Sequence, residues 1–379
     1  MIDPLVHRRD LLAVSIAAAI SACAERPLLS APLQPRGPPI LLAPVAVERS
    51  RIIRRVVGLR PFRPGGFVVR AETLGDKLLV HNYGHGGGGV TLSWGTAELA
   101  ADLANVSPGH DCAVLGCGAV GLATARTLQE RGARVTIYAR ELPPDTTSNV
   151  AGAQWWSSFV FDPEAITPEF AVQYKRAAHL AYLRFQALPG ARYGIRWTRN
   201  YAASDPPAVL LAHEAAANPE PSLRDLCVEC RRLLPEETPL PGLTVSQFDT
   251  MMIEPPIYLP ALMQDLRTAG GRIAVRTMRD RQDIAVLRQR TVFNCTGLGA
   301  KALFDDPELT PVKGQLTVLL PQPEVTYNAL YRGTYMFPRA DGILLGGTEQ
   351  RDDRTLTPDL QAEARIMADQ RALYAHLRG

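Results

Sequence analysis

The sequence predicts an α/β fold of two lobes, and three observations carry that prediction. Residues 112–115 are a short apolar strand, Gly116-Cys-Gly118-Ala-Val-Gly121 follows as a glycine turn, and residues 119–131 have helical periodicity. Arg134–Ala139 is the next strand, which completes the strand–turn–helix–strand order of a Rossmann-like unit. Residues 190–255 mix short apolar runs, Trp197 and many prolines, which predicts a second, less regular lobe of mixed α and β structure. A chain of 379 residues has room for both. Its 46% hydrophobic and 21% charged content is that of a globular protein, not a disordered one. A net charge of +3 is too small to point to nucleic acid or an anionic surface.

Residues 1–24 read as an export signal. Arg8-Arg9-Asp10-Leu11-Leu12 opens an apolar run over residues 11–22, too short to span a bilayer. Paired arginines at this place resemble a twin-arginine signal, which implies a periplasmic protein or one anchored facing the periplasm. Ile20-Ser-Ala-Cys23 would allow a lipid anchor at Cys23, whereas Ala22-Cys23-Ala24 would allow simple cleavage. The alternative is a cytoplasmic protein with an apolar tail. Periplasmic yield of a chain carrying Arg8→Lys and Arg9→Lys separates the two. Residues 25–48, rich in Pro, Leu and Ala, read as a tether.

The body follows. Residues 51–57, 67–70 and 78–81 read as strands, and a helix is expected from about Thr91 to Ala104. Thr167-Pro168-Glu169 starts a helix expected to end before Pro189-Gly190, with a capping hydroxyl and proline in the first turn. Residues 260–268 form a short helix closed by Gly270-Gly271. Residues 291–294, 316–320 and 343–345 read as strands, and Thr357-Pro358-Asp359 starts a final helix. Six cysteines do not make a disulfide scaffold in a chain this long. Cys112, Cys117 and Cys295 read as apolar fillers, and Cys227 and Cys230 as solvated or buried thiols, with zinc or redox roles weakly supported.

The glycine turn lets a pyrophosphate approach the backbone and rest on a helix N-terminus, but alone it is a weak signal. Further stretches accompany it: His81-Asn-Tyr-Gly-His85-Gly86-Gly87-Gly88-Gly89-Val90-Thr91, Gly58-Leu-Arg60-Pro61-Phe62-Arg63-Pro64, the run from Asp145 through Thr146, Thr147 and Ser148 to Gly152-Ala153-Gln154-Trp155, Asn294-Cys-Thr296-Gly297, Lys313-Gly314-Gln315 and Gly346-Gly347-Thr348. Together they resemble the D-amino-acid oxidase family, from about Ile52 to Gln350. In that family the HNYGHGG motif lies near the end of the chain. Here it precedes the fingerprint, so the resemblance implies a circularly permuted order. It also implies FAD as cofactor. The domains are then a FAD-binding part over 49–155, 259–310 and 341–379 and a substrate part over 156–258 and 311–340.

The resemblance assigns the site residues. Gly116, Gly118, Ala119, Val120 and Gly121 would hold the pyrophosphate. Thr146, Thr147, Ser148, Gly152, Ala153, Gln154 and Thr296 would also meet the cofactor. Gly86, Gly87, Gly88, Gly89, Val90 and Thr91 would wrap its pyrimidine end, with His81 and His85 as structural polar residues. At the end of the second strand an acid normally binds ribose. This chain has Arg140 there and Glu141 one residue on. Arg140 would alternatively favour NADP, against which the HNYGHGG stretch argues. Arg60 would clamp the substrate carboxylate with its planar fork. Tyr335 would donate its hydroxyl to the same carboxylate and Tyr331 would cover the site. Aromatic packing on a strand is the alternative for both. The implied reaction is oxidation of a D-amino acid with molecular oxygen and release of peroxide, and the resemblance allows a homodimer. The alternatives are a flavin dehydrogenase that passes electrons to a carrier and a flavin-fold protein that binds without turnover.

Overall fold

The computed structural model describes residues 40–156, 158–206 and 223–378. The export signal and the first part of the tether lie outside the described residues. Two sheets organise the rest. The smaller runs β2 (Val68–Leu74), β3 (Lys77–Tyr83), β10 (Thr291–Asn294), β4 (Asp111–Leu115), β5 (Arg134–Ala139) and β9 (Arg272–Val275). All neighbours are parallel except β2 with β3. Parallel strands need covered faces. Helices α1 (Ser93–Leu103), α2 (Ala119–Glu130) and α5 (Pro255–Thr268) supply cover with residues such as Leu99, Leu122, Leu128 and Leu262. The long helix α3 (Pro168–Ala187) crosses α1 so closely that a Cβ on Gly95 would overlap the Ala177 carbonyl. Thr167 caps α3 as expected, accepting from Phe170 N at 3.2 Å. Short helices α4 (Gly190–Tyr193), α6 (Arg281–Ala285) and α7 (Gly299–Phe304) fill connections.

The larger sheet has nine strands. Its path is β1 (Ile52–Phe62), β11 (Thr310–Leu319), β14 (Gly342–Gly346), β13 (Thr334–Arg339), β12 (Asn328–Tyr331), β6 (Ile195–Ser204), β8 (Thr244–Ile253) and β7 (Val228–Arg232), with β15 (Gln350–Arg351) also on β11. One face packs against α8 (Leu360–Tyr374), through Tyr331, Met336, Leu345, Ile366 and Met367. The final helix starts at Leu360, with Asp359 as its cap, three residues after the expected start at Thr357. The opposite face carries Leu316, Val318, Tyr335, Phe337, Leu344 and Met252. The chain around residues 150–156 lies across it: Val150 covers Gly58, Gly152 faces Phe337, and Gln154 bridges Met252.

The structure corrects several expectations. The tether ends before Ile40, because Val45 and Val47 are buried against α8 and Val47 O accepts from Arg371 at 3.2 Å. β1 pairs with β11 in an antiparallel ladder that is regular from Arg54, β14 pairs with β11 and β13, and β15 pairs with β11, so all three strands lie in the larger sheet. Helix α5 begins at Pro255, five residues early, since prolines in a first turn lack only N–H groups that have no helical partner there. Cys227 and Cys230 are joined by a disulfide rather than left as thiols. Glu229 between them takes a left-handed conformation at a break in the β7 register, and the Cα atoms stand 6.0 Å apart, within disulfide reach. Cys112, Cys117 and Cys295 are buried fillers, their thiols pushed up to about 12 by burial.

Candidate active site

The first part of the site is the glycine turn after β4. Gly116 has φ +105, and a Cβ there would overlap the Cys295 carbonyl. A Cβ on Gly121 would overlap the Gly116 carbonyl. Glycine at both places is thus what lets α2 seat on the end of β4. Gly118 is the extended N-cap of α2, with Ala119 and Val120 in its first turn. Ser148 Oγ accepts from Ala119 N at 2.9 Å, and Thr146 Oγ1 donates to Asn149 at 2.8 Å, one residue before the short turn Thr147–Val150. A helix N-terminus reached through glycines, with the Ser148 hydroxyl at its first N–H, suits a pyrophosphate. Thr296 lies beside Gly116 and donates to Asn294 at 2.7 Å. Past β5, Arg140 and Glu141 are exposed and paired with each other at 2.9 Å.

The second part is the turn after β3. Gly86–Gly88 form one 3-10 turn, and Gly87 N donates to Phe159 O at 2.7 Å. A side chain at Gly86 would overlap that same carbonyl. Val90 and Thr91 are buried, and Thr91 Oγ1 donates to Gly88 O at 3.2 Å, so its hydroxyl holds the turn. His81 pairs with Asn294 at 3.0 Å and sits 3.2 Å from Glu72. Burial lowers its pKa, with Glu72 opposing. His85 stacks on Phe67, meets Thr96 Oγ1 at 3.0 Å, and is brought down to about 3 by burial, so it is neutral. Parallel pairing of β3 with β10, and of β10 with β4, brings the HNYGHGG stretch, Thr296 and the fingerprint to one edge of the sheet.

The third part is on the larger sheet. Arg60 of β1 lays its guanidinium over Gly314, where a Cβ would come within 2.5 Å of Nη2 and 2.6 Å of Cζ. Its Nη1 donates to Thr348 O at 3.1 Å, and no carboxylate among the described residues lies within ion-pair distance of it. On the same face, Tyr335 lies over Gly346, where a Cβ would overlap its ring, and stacks on Phe337 at 4.4 Å. Burial raises the pKa of Tyr335 and Arg60 pulls it back, which leaves the phenol a neutral donor. Gly152 faces both rings, and Ala153 is held at φ +61.

Two expected site residues point elsewhere. Tyr331 does not cover the site. Arg332 and Gly333 both have positive φ and make a two-residue hairpin, so Tyr331 stands opposite Thr334 and faces α8, its hydroxyl on Asp205 at 2.8 Å. The spacing of four to Tyr335 therefore crosses a turn and changes face. Gln154 is turned into the sheet, where its amide donates to Asn200 Oδ1, which also accepts from Asn328 at 3.0 Å. Sequence reading missed Arg339, which donates to Ala151 O at 3.1 Å and so holds the Gly152 segment from its other end. It also missed that Gly314 is the space Arg60 occupies. The Arg332-Gly333 pair was a readable turn signal for Tyr331. Nothing local signalled Arg339.

A family model described as "FAD dependent oxidoreductase" matches residues 40–103 and 111–378. The chain belongs to this family. A D-amino-acid oxidase of Streptomyces coelicolor is 31% identical over 273 residues, which is 70% of this chain and 78% of that protein. A human D-aspartate oxidase is 29% identical over 274 residues, 70% of this chain and 76% of that one. Among solved structures, the glycine oxidase of Geobacillus kaustophilus shares the fold with a TM-score of 0.50 at 18% identity, covering 71% of this chain and 78% of that one. This FAD-dependent oxidoreductase has a site that fits its cofactor. The glycine turn and hydroxyls at α2 would hold the pyrophosphate, and the Gly86–Gly88 turn and the Gly152 segment would flank the ring.

Proposed function

We propose that this oxidoreductase deaminates a D-amino acid oxidatively, giving an imino acid that hydrolyses to the oxo acid, with hydrogen peroxide as the second product. The observation that carries the proposal is Arg60. A half-buried guanidinium with one backbone carbonyl as hydrogen-bond partner, beside a half-buried neutral tyrosine, is a receptor for a carboxylate. The names of the relatives, D-amino-acid oxidase and D-aspartate oxidase, agree with it. Arg60 and Tyr335 would hold the carboxylate and turn the Cα–H bond toward the Gly152 segment. Buried Phe337 and Met252, with half-buried Tyr335 packed on them, limit water on that side. FAD, when bound, would supply the two-electron acceptor whose reoxidation by oxygen gives the peroxide. The test is a panel of D- and L-amino acids, with flavin bleaching followed without oxygen and peroxide assayed with it. Bleaching by D-amino acids with stoichiometric peroxide is expected. A panel in which only L-amino acids or only non-carboxylate amines bleach the flavin would overturn the proposal.

We also propose that the chain is a circular permutant of the family order. What supports this is the position of α1, which joins the HNYGHGG turn directly to β4 through residues 104–110. The two matched stretches of the family part at that same place. The first and last described segments meet elsewhere: Arg55 pairs with Glu363 at 2.6 Å, and Arg371 reaches Val47 O. A rearranged chain without residues 1–39, with Gly379 linked to Ile40 and new ends at Gly109, is expected to fold and bind FAD. Failure to fold across several linker lengths would count against permutation.

A further inference from the structure

The oxidase reading leaves one carboxylate at the site without a task. β15 pairs with β11 with Val312 opposite Arg351 and Lys313 opposite Gln350, so the next positions along are Gly314 and Glu349. Gly314 is where the Arg60 guanidinium lies, and Thr348, which accepts from Arg60, directly precedes Glu349. Arg351 stacks over Phe62 at 4.7 Å on the Arg60 side, whereas Gln350 bonds Asp359 at the start of α8 on the other. Glu349 follows Thr348, whose carbonyl Arg60 holds, precedes Arg351 by two residues, and feels the charges of both arginines. It is exposed to an incoming molecule.

Its neighbours are occupied or held apart. Arg351 is committed to Asp162, at 2.7 and 2.9 Å, and to the rings of Phe62 and Phe159. Arg60 of β1 and Glu349, just before β15, flank β11 from its two sides, yet make no ion pair among the described residues. Loss of water raises the Glu349 carboxyl, and Asp162 adds to this, while Arg60 and Arg351 act against it. A carboxylate left open here repels an incoming carboxylate bound for Arg60. That repulsion turns into attraction when the ligand also carries a cation one or two atoms away.

We infer that Glu349 receives the α-ammonium group of the substrate, so that Arg60 and Glu349 together read the two ends of a zwitterion. The inference rests on the reading of Arg60 as the carboxylate receptor. It makes the site select amino acids over simple carboxylic acids by repelling the latter.

The experiment uses the FAD-loaded enzyme and two probes. Benzoate has a carboxylate and no amine, and its binding is followed by the change in flavin absorbance. D-Alanine has both, and its apparent affinity is followed by flavin bleaching without oxygen. Glu349→Gln is expected to weaken D-alanine about 10- to 100-fold, the usual range for losing a hydrogen bond to a charged group. The same variant should hold benzoate as well as the wild type or tighter. Unchanged D-alanine affinity would overturn the inference, and so would equal weakening of both probes, which marks a structural role. Arg60→Ala should lose both probes. If it keeps both, the carboxylate-receptor reading fails, whatever Glu349 does.

Discussion

Arg60→Ala is expected to keep the flavin spectrum and lose most turnover. The guanidinium is the charged partner a substrate carboxylate would find on this face, and its present hydrogen-bond partner is the Thr348 carbonyl. Truncating one member of a buried charge pair costs roughly 2–5 kcal/mol, which is about 30- to several-thousand-fold in kcat/KM. Tyr335→Phe removes one hydrogen bond and keeps the ring over Gly346, so its loss should be on the order of tenfold. Gly314→Ala gives an independent check that leaves Arg60 in the sequence. The added methyl would come within 2.6 Å of the guanidinium carbon and must push the fork aside. Its loss should fall between the other two. Steady-state rates with D-amino acids at concentrations well below KM measure all three. Wild-type rates in Arg60→Ala would remove the carboxylate clamp from the account of this site.

The second large effect concerns the cofactor. Gly121→Val is expected to give protein that holds no flavin and is largely insoluble. A Cβ at Gly121 would overlap the backbone carbonyl of Gly116, and neither backbone can move without pulling α2 off β4. Overpacking of this kind typically costs ~1–3 kcal/mol and more where backbone is struck. Gly118→Val should behave differently. The nearest atom to its Cβ is Ser148 Oγ, at 3.0 Å, which is the end of a side chain that can rotate. That variant should fold yet bind FAD weakly, because the valine stands at the N-terminus where a pyrophosphate would rest. Flavin content per chain and melting temperature with and without added FAD separate the two outcomes. Stoichiometric flavin in Gly121→Val would mean that this turn does not close as described.

Part of this protein was readable residue by residue. The βαβ unit was legible because its signals are local: an apolar strand, glycines at fixed spacing, then helical periodicity. The N-cap Thr167 was legible for the same reason, since a capping side chain acts within three residues of itself. Strands β6 and β8 were not. Their inward positions include Thr198, Asn200, Ser246 and Thr250, all buried, so polar residues occupy places where a period-two apolar pattern was sought. Three of them are tolerated inside because they are hydrogen-bonded: Thr250 donates to Trp155 O at 2.6 Å, Asn200 accepts from Gln154 and Asn328, and Thr198 accepts from Arg196.

The sequence by itself therefore determined the cofactor-binding unit, the motifs of the site and Arg60 as the first candidate for the clamp. Tertiary structure decided which of these motifs face one another. A two-residue hairpin of left-handed residues sent Tyr331 to the α8 face while Tyr335 stayed at the site. Ladder register set Glu349 beside Gly314, and burial drew residues 40–47 from a presumed tether into the core against α8. The physical reason is the same throughout. Turns, caps and glycine spacing act over a few residues. The face a side chain presents depends on pairing between strands hundreds of residues apart, as with Arg60 of β1 and Val312 of β11.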